Sequence, residues 1–183
     1  MIFSETKEGM GRFVASVDWS RSEIGDDRGK QFAYIFSYKL CADDLLNQMI
    51  CKNYSDIILE TTLDIYVYAI CFMYRHYLEL LMKKIFFDIN GSQFNQSRQN
   101  HDLVGLFCSI ECHLADNEKD TLRGIVDEID HYDNKSFSFR YPKQRDCEGA
   151  GVYLENELFI DLQEFKNRID EVDSLLWEKY IPN

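Results

Sequence analysis

Residues 65–84 read IYVYAICFMYRHYLELLMKK, and this stretch decides the fold. Its first half is apolar on every side, and its second half continues at helical period with no turn residue between them. The β-branched and aromatic residues of the first half would also suit a strand. However, neither glycine nor proline occurs from Lys30 to Phe87, so one helix is predicted from Tyr54 to about Phe87. A segment apolar all round from Ile65 to Tyr74 predicts a helix buried in the middle of a bundle.

Working outward, apolar positions 32, 35, 38, 42, 45, 46 and 49 recur at three- and four-residue steps, predicting an amphipathic helix from Gln31 to about Lys52. Residues 1–29 mix glycine, serine and charge without period and are expected to form an irregular arm before a single domain over 30–183. The polar run 90–100 (NGSQFNQSRQN) predicts a loop, after which Asn100 is the expected cap of a helix over 101–115 with Leu103, Leu106, Phe107, Ile110 and Leu114 inward. Asp116 or Asn117 is the expected cap of the next helix, which runs to about Tyr132 with Leu122, Ile125, Val126, Ile129 and Tyr132 inward. Residues 135–160 lose helical period and predict a short hairpin or ordered loop. Asp161 with Glu164 then forms a capping-box variant opening a last helix that faces Leu162, Phe165, Ile169, Val172 and Leu176 inward. The fold class expected is all-α, an up-and-down bundle of about five helices with an irregular or hairpin insertion before the last.

The chain of 183 residues carries 32 acidic and 20 basic side chains, a net charge of -12. A broad nucleic-acid-coating surface is excluded, since that requires clustered cations to displace counterions. Acid concentrates in 101–134, with nine acidic against two basic residues, and in 153–178, with eight against two. The segment 136–145, SFSFRYPKQR, reverses the sign with three basic residues and no acidic one. An anion would be steered to Arg140, Lys143 and Arg145, with Tyr141 between them. Equally, Arg140 would serve as a structural partner for a helix carboxylate while Pro142 sets a turn.

The second polar concentration is in the central helix. Arg75 and Glu79 stand four residues apart on one face, and His76 is expected on a core stripe with Ile65, Ala69, Phe72 and Leu80. Polar groups there require partners, so an internal ion pair with a core histidine stands beside the possibility of a site. Asn100-His101-Asp102 opens the following helix, where the dipole favours an anion or the Asp102 carboxylate itself. Six scattered cysteines, several of them among apolar residues of predicted helices, together with the absence of a signal-peptide pattern at the N-terminus, lead to the expectation of a reduced, cytoplasmic protein. The ten-residue apolar run 65–74 is half of what a membrane span requires, so no membrane partner is expected. Cys108, Cys112, His113 and His101 lack CxxC or HExxH spacing, and neither a metal nor another cofactor is expected.

The order of YRHYLELLMKK, a polar loop, HDLVGLF, an acidic helix, SFSFRYP and a final amphipathic helix resembles the HEPN-like helical bundles. These are prokaryotic domains often encoded beside toxin, antiphage or nucleotidyltransferase genes. The resemblance spans 31–180. It implies a homodimer with any active cleft between the copies. For many members it implies a metal-independent ribonuclease in which an arginine and a histidine four to six residues apart act on RNA. This chain departs from that pattern: two residues separate Arg98 from His101, seven separate Arg123 from His131, and Arg75 adjoins His76.

Three functions follow as expectations. The first is a non-ribonuclease module of a bacterial defence or toxin-type system that binds RNA, a nucleotide or a partner such as an antitoxin or nucleotidyltransferase. Arg140, Tyr141, Lys143, Arg145, Glu79 and Asp102 are its candidate ligand contacts. The second is a ribonuclease with a rearranged site, His76 or His101 as base and Arg75 or Arg140 on the phosphate. The third is a purely structural dimer.

Overall fold

A computed structural model describes residues 27–51, 56–90, 101–134, 136, 138–140, 144–145, 151–152 and 159–180. Of the arm predicted over 1–29, residues 1–26 lie outside the described residues, as does most of the polar loop, while Asp27, Arg28 and Gly29 belong to the first helix and not to an irregular arm. Among the described residues five α-helices follow in order, α1 (Asp27–Cys51), α2 (Asp56–Asn90), α3 (Leu103–Ile110), α4 (Asp116–Asp133) and α5 (Leu162–Tyr180), with a 3-10 turn over Glu111–His113 after α3. Between the last two, β1 (Gln144–Arg145) pairs antiparallel with β2 (Gly151–Val152), Gln144 opposite Val152, so the predicted insertion contains a hairpin-like pair. The chain is an all-α bundle. α2 packs against α1, α3 and α5, and α4 bridges α3 and α5.

The inward stripes of the three later helices follow their sequence periods. Leu103, Leu106, Phe107 and Ile110 of α3, Leu122, Ile125, Val126 and Ile129 of α4, and Leu162, Ile169, Val172 and Leu176 of α5 are buried. Each such side chain contributes about 1.5–3 kcal/mol on removal from water. Tyr132, expected inward, is 38% exposed. α2 corrects a larger expectation. Ile65, Tyr66 and Tyr68 are exposed, and burial sets in at Ile70 and continues through Cys71, Tyr74, Tyr77, Leu78, Leu81, Met82 and Ile85. The Ile65–Ala69–Phe72–His76–Leu80 stripe is therefore the margin of the core and not its centre; His76 is half-buried. Apolar period shows which faces could be buried, whereas the length of the neighbouring helices decides which are.

Two helix starts also differ from expectation. Asp102, not Asn100, caps α3: its Oδ1 accepts the Gly105 N–H at 2.8 Å. A Cβ on Gly105 would lie 2.5 Å from Asp102 Oδ2, so glycine leaves room for the capping carboxylate. At α4 the chain turns at Ala115, whose N–H donates to Glu118 Oε2 at 2.8 Å, one turn inside the helix. Lys179 of α5 donates to the same Glu118 carboxylate at 2.8 and 2.9 Å. Asp161 caps α5 as expected, accepting the Glu164 N–H at 2.9 Å. Of the described cysteines only Cys71 is buried; Cys41, Cys51, Cys108 and Cys112 are exposed.

A part-buried polar network joins α1, α2 and α5. Lys39 donates to Asp43 at 2.8 Å and to Asp170 at 2.6 Å, Lys166 pairs with Asp170 at 2.5 Å, and Tyr74 donates to Asp43 at 2.7 Å. One turn along α2, the Tyr77 hydroxyl donates to Asp173.

Candidate functional site

Arg75 and Glu79 project from consecutive turns of α2, and both are fully buried. Arginine can hold several acceptors because its guanidinium is a planar fork of five donors. Arg75 uses that fork across three elements. Nε donates to the Asp133 carbonyl at 3.1 Å and lies 3.2 Å from Asp133 Oδ2, Nη1 donates to Glu79 Oε2 at 3.0 Å, and Nη2 donates to the His101 carbonyl at 2.6 Å. The end of α4, the entry to α3 and the middle of α2 are thus tied to one cation. Burial lowers the Arg75 pKa, opposed by the Asp133 and Glu79 charges, and an arginine so paired stays protonated.

Glu79 is the second hub. Its carboxylate receives Lys83 Nζ at 2.5 Å in addition to Arg75, and His101 Nδ1 stands 3.1 Å from both its oxygens. Burial opposes ionisation of Glu79, yet the hydrogen bonds and charges of Lys83 and His101 prevail and hold the carboxyl below its ordinary value. An ionised carboxylate only accepts, so Nδ1 of a neutral His101 carries the proton and Nε2 is left with a lone pair. The His101 side chain is 41% exposed, and its backbone is left-handed, with φ of 66°. Asp102, by contrast, faces its own helix as a cap, so a carboxylate already occupies the α3 N-terminus where an anion was one expectation.

His76 lies on the same side of α2. Its ring stacks on Phe72, 5.5 Å between centroids and 10° apart, and meets the Tyr38 ring edge-on at 4.5 Å. Burial lowers its pKa; Glu79 opposes this, and Lys83, His101 and Arg75 add to it. A histidine whose folded pKa falls below its ordinary 6.5 stabilises the fold fully above that value, and the contribution is lost as pH drops through the folded pKa. His76→Phe keeps the ring contacts and removes the titration. The melting temperature of the variant is expected to decline less steeply than that of wild type on acidification below pH 6.5. Parallel melting curves across that range would contradict the assignment.

Arg140 reaches the site from the segment after α4. There Ser136 is left-handed, with φ of 59°, and its N–H donates to the Asp133 carbonyl at 3.3 Å. Asp133 Oδ1 accepts the Ser138 N–H at 2.8 Å, and Ser138 Oγ donates to the Tyr132 carbonyl at 2.8 Å. This turn brings the exposed Arg140 back over the Phe72 ring, its guanidinium carbon 5.7 Å from the centroid, with Nε donating to the Ser136 carbonyl. Of the residues singled out from sequence, Arg75, His76, Glu79, His101 and Arg140 converge here. Tyr141 and Lys143 lie outside the described residues, and of Arg145 only the backbone, in β1, is described. Arg123 and His131 stand apart on the exposed face of α4, Arg123 paired with Asp127 at 2.9 Å. Asp133 is the member the sequence reading missed. An aspartate in the last turn of a helix opposes the dipole, and that is the signal of a specific partner.

Among the described residues no group of three or more His, Cys, Asp or Glu is placed to hold a metal, and no helix is long and apolar enough to cross a membrane. Comparison with protein families, curated proteins and solved structures finds no match to this chain.

Proposed function

We propose that the chain is a HEPN-like module of a bacterial defence or toxin-type system that binds single-stranded RNA along α2, with Arg75 as a positioning residue and not a phosphate ligand. The observation that carries this reading is the division of labour around Glu79. Arg75 is fully buried, whereas Lys83, His101 and Arg140, which also hold protein partners, reach the surface along one side of the helix. Phe72, beneath Arg140, and Lys83 are eleven residues apart in α2, so the row extends over roughly 16 Å. That length suits an extended oligonucleotide better than one nucleotide. The interleaved rings of Phe72, His76 and Tyr38 supply the apolar surface on which unpaired bases stack. In the homodimer that the resemblance implies, the exposed Ile65, Tyr66 and Tyr68 offer uncharged surface on which two acidic chains could meet.

Fluorescence anisotropy with a labelled RNA oligomer and with a labelled mononucleotide tests this. The oligomer is expected to bind more tightly. Arg140→Ala and Lys83→Ala should each weaken it several-fold and each reduce the salt slope by about one. Oligomer affinity indifferent to both substitutions would refute the assignment. One observation favours a second reading, a metal-independent ribonuclease. Glu79 orients His101 so that Nε2 is presented as a base. Cleavage of the same oligomer that disappears in His101→Ala would select it.

A further inference from the structure

A groove of about 180 Å³ opens between α4 and α5. Four aromatic residues line it: Tyr132, Phe139, Phe159 and Phe165. Phe159 is 93% exposed, an apolar ring held in water among the residues that line the groove. The floor includes Ile129 and Cys71, and burial pushes the Cys71 thiol up to about 12, so it stays protonated and offers no nucleophile.

The charge at the rim selects the occupant. Glu128, Asp161 and Glu164 face the groove against a single cation, Arg168, and that cation is already paired with Glu128. Asp161 spends one oxygen on the Glu164 N–H, whereas the exposed Glu164 side chain has no ion pair or hydrogen bond among the described residues. An anion would meet two uncompensated carboxylates. A neutral apolar molecule would suit the rings and leave the rim charge unanswered. A cation with an apolar body satisfies both, because aromatic faces attract cations and the carboxylates add to that field. The volume is close to that of a cavity known to hold one benzene ring, about 150 Å³, so a compact headgroup fits and a folded partner does not.

We propose that this groove binds a small organic cation of the quaternary-ammonium class, held by Phe159 and Tyr132 through their ring faces and by Glu164 through charge. Choline and its neutral carbon isostere, dimethylbutanol, are the probes, and amide chemical-shift titration of the whole chain is the readout. Choline is expected to saturate with a Kd of about 1 mM or tighter, perturbing Phe159, Ile160 and Glu164, and the isostere to bind about tenfold more weakly. Glu164→Gln and Phe159→Ala, both at exposed positions, should each weaken choline severalfold without lowering the melting temperature. Equal affinity for the two probes, shifts confined to other surfaces, or no saturation with choline would each overturn the proposal. RNA binding on α2 does not enter this experiment, so the two sites stand or fall separately.

Discussion

Arg75→Ala is expected to destabilise the protein by about 3–5 kcal/mol, lowering its melting temperature by roughly 6–20 °C. The cost does not arise from the loss of an attractive pair alone. Glu79 and Asp133 are both essentially inaccessible to water, and without the guanidinium Asp133 loses the Arg75 contact while Glu79 keeps Lys83 and His101. The carbonyls of His101 and Asp133 lose a donor as well. Arg75→Lys should recover part of the loss, since an ammonium keeps the charge but cannot span acceptors on three elements. The decisive control is Arg75→Met combined with Glu79→Gln and Asp133→Asn. Removing the charges together should cost less than removing the arginine by itself. Thermal and denaturant unfolding of the set would measure this. A single Arg75→Ala variant within about 1 kcal/mol of wild type would show that the cluster is hydrated and not the tie described here.

That tie also bears on function. His101 is held from both sides, its carbonyl by Arg75 and its ring by Glu79, in a left-handed backbone that only a firm local structure maintains. A positioning role for Arg75 therefore predicts that Arg75→Lys weakens RNA binding of the folded protein at temperatures well below its melting point, whereas a role confined to stability would leave that affinity unchanged.

How far the sequence spoke for itself varied by element. The stripes of α3, α4 and α5 were legible because each of these helices faces the core along one narrow band, so period and burial coincide. α2 was harder. Its apolar run from Ile65 implied burial all round, yet a run cannot reveal where its neighbours stop, and Ile65 is 67% exposed. Arg75 and Glu79 were recognisable as a pair from their spacing. Asp133 and the backbone carbonyls that complete the cluster were not, since tertiary packing brings them from the entry to α3 and the end of α4. The left-handed conformations at His101 and Ser136, which aim the site, have no glycine to mark them. In α1 a signal was present and passed over: Lys39 falls on the same stripe as Ile35, Ala42 and Leu46. A lysine on a core stripe requires an anionic partner within reach.

Lys39→Met tests that requirement and is expected to cost about 2–3 kcal/mol. The lysine side chain is 8% exposed, and its two partners differ. Asp43 is 13% exposed and also accepts from Tyr74, whereas Asp170 is 42% exposed and can recover water. Most of the penalty should therefore fall on Asp43. Lys166, 3.5 Å from Asp43, remains to offset part of it, which is why the effect should be smaller than at Arg75. A second substitution apportions the loss. Adding Asp43→Asn to Lys39→Met should restore stability relative to the single variant, because the amide needs no counter-charge and can still accept from Tyr74. Adding Asp170→Asn should restore much less. If the two additions were equivalent, Lys39 would be acting as a surface cation shared between α1 and α5; an unequal pair identifies Asp43 as the buried charge that fixes α1 against α2.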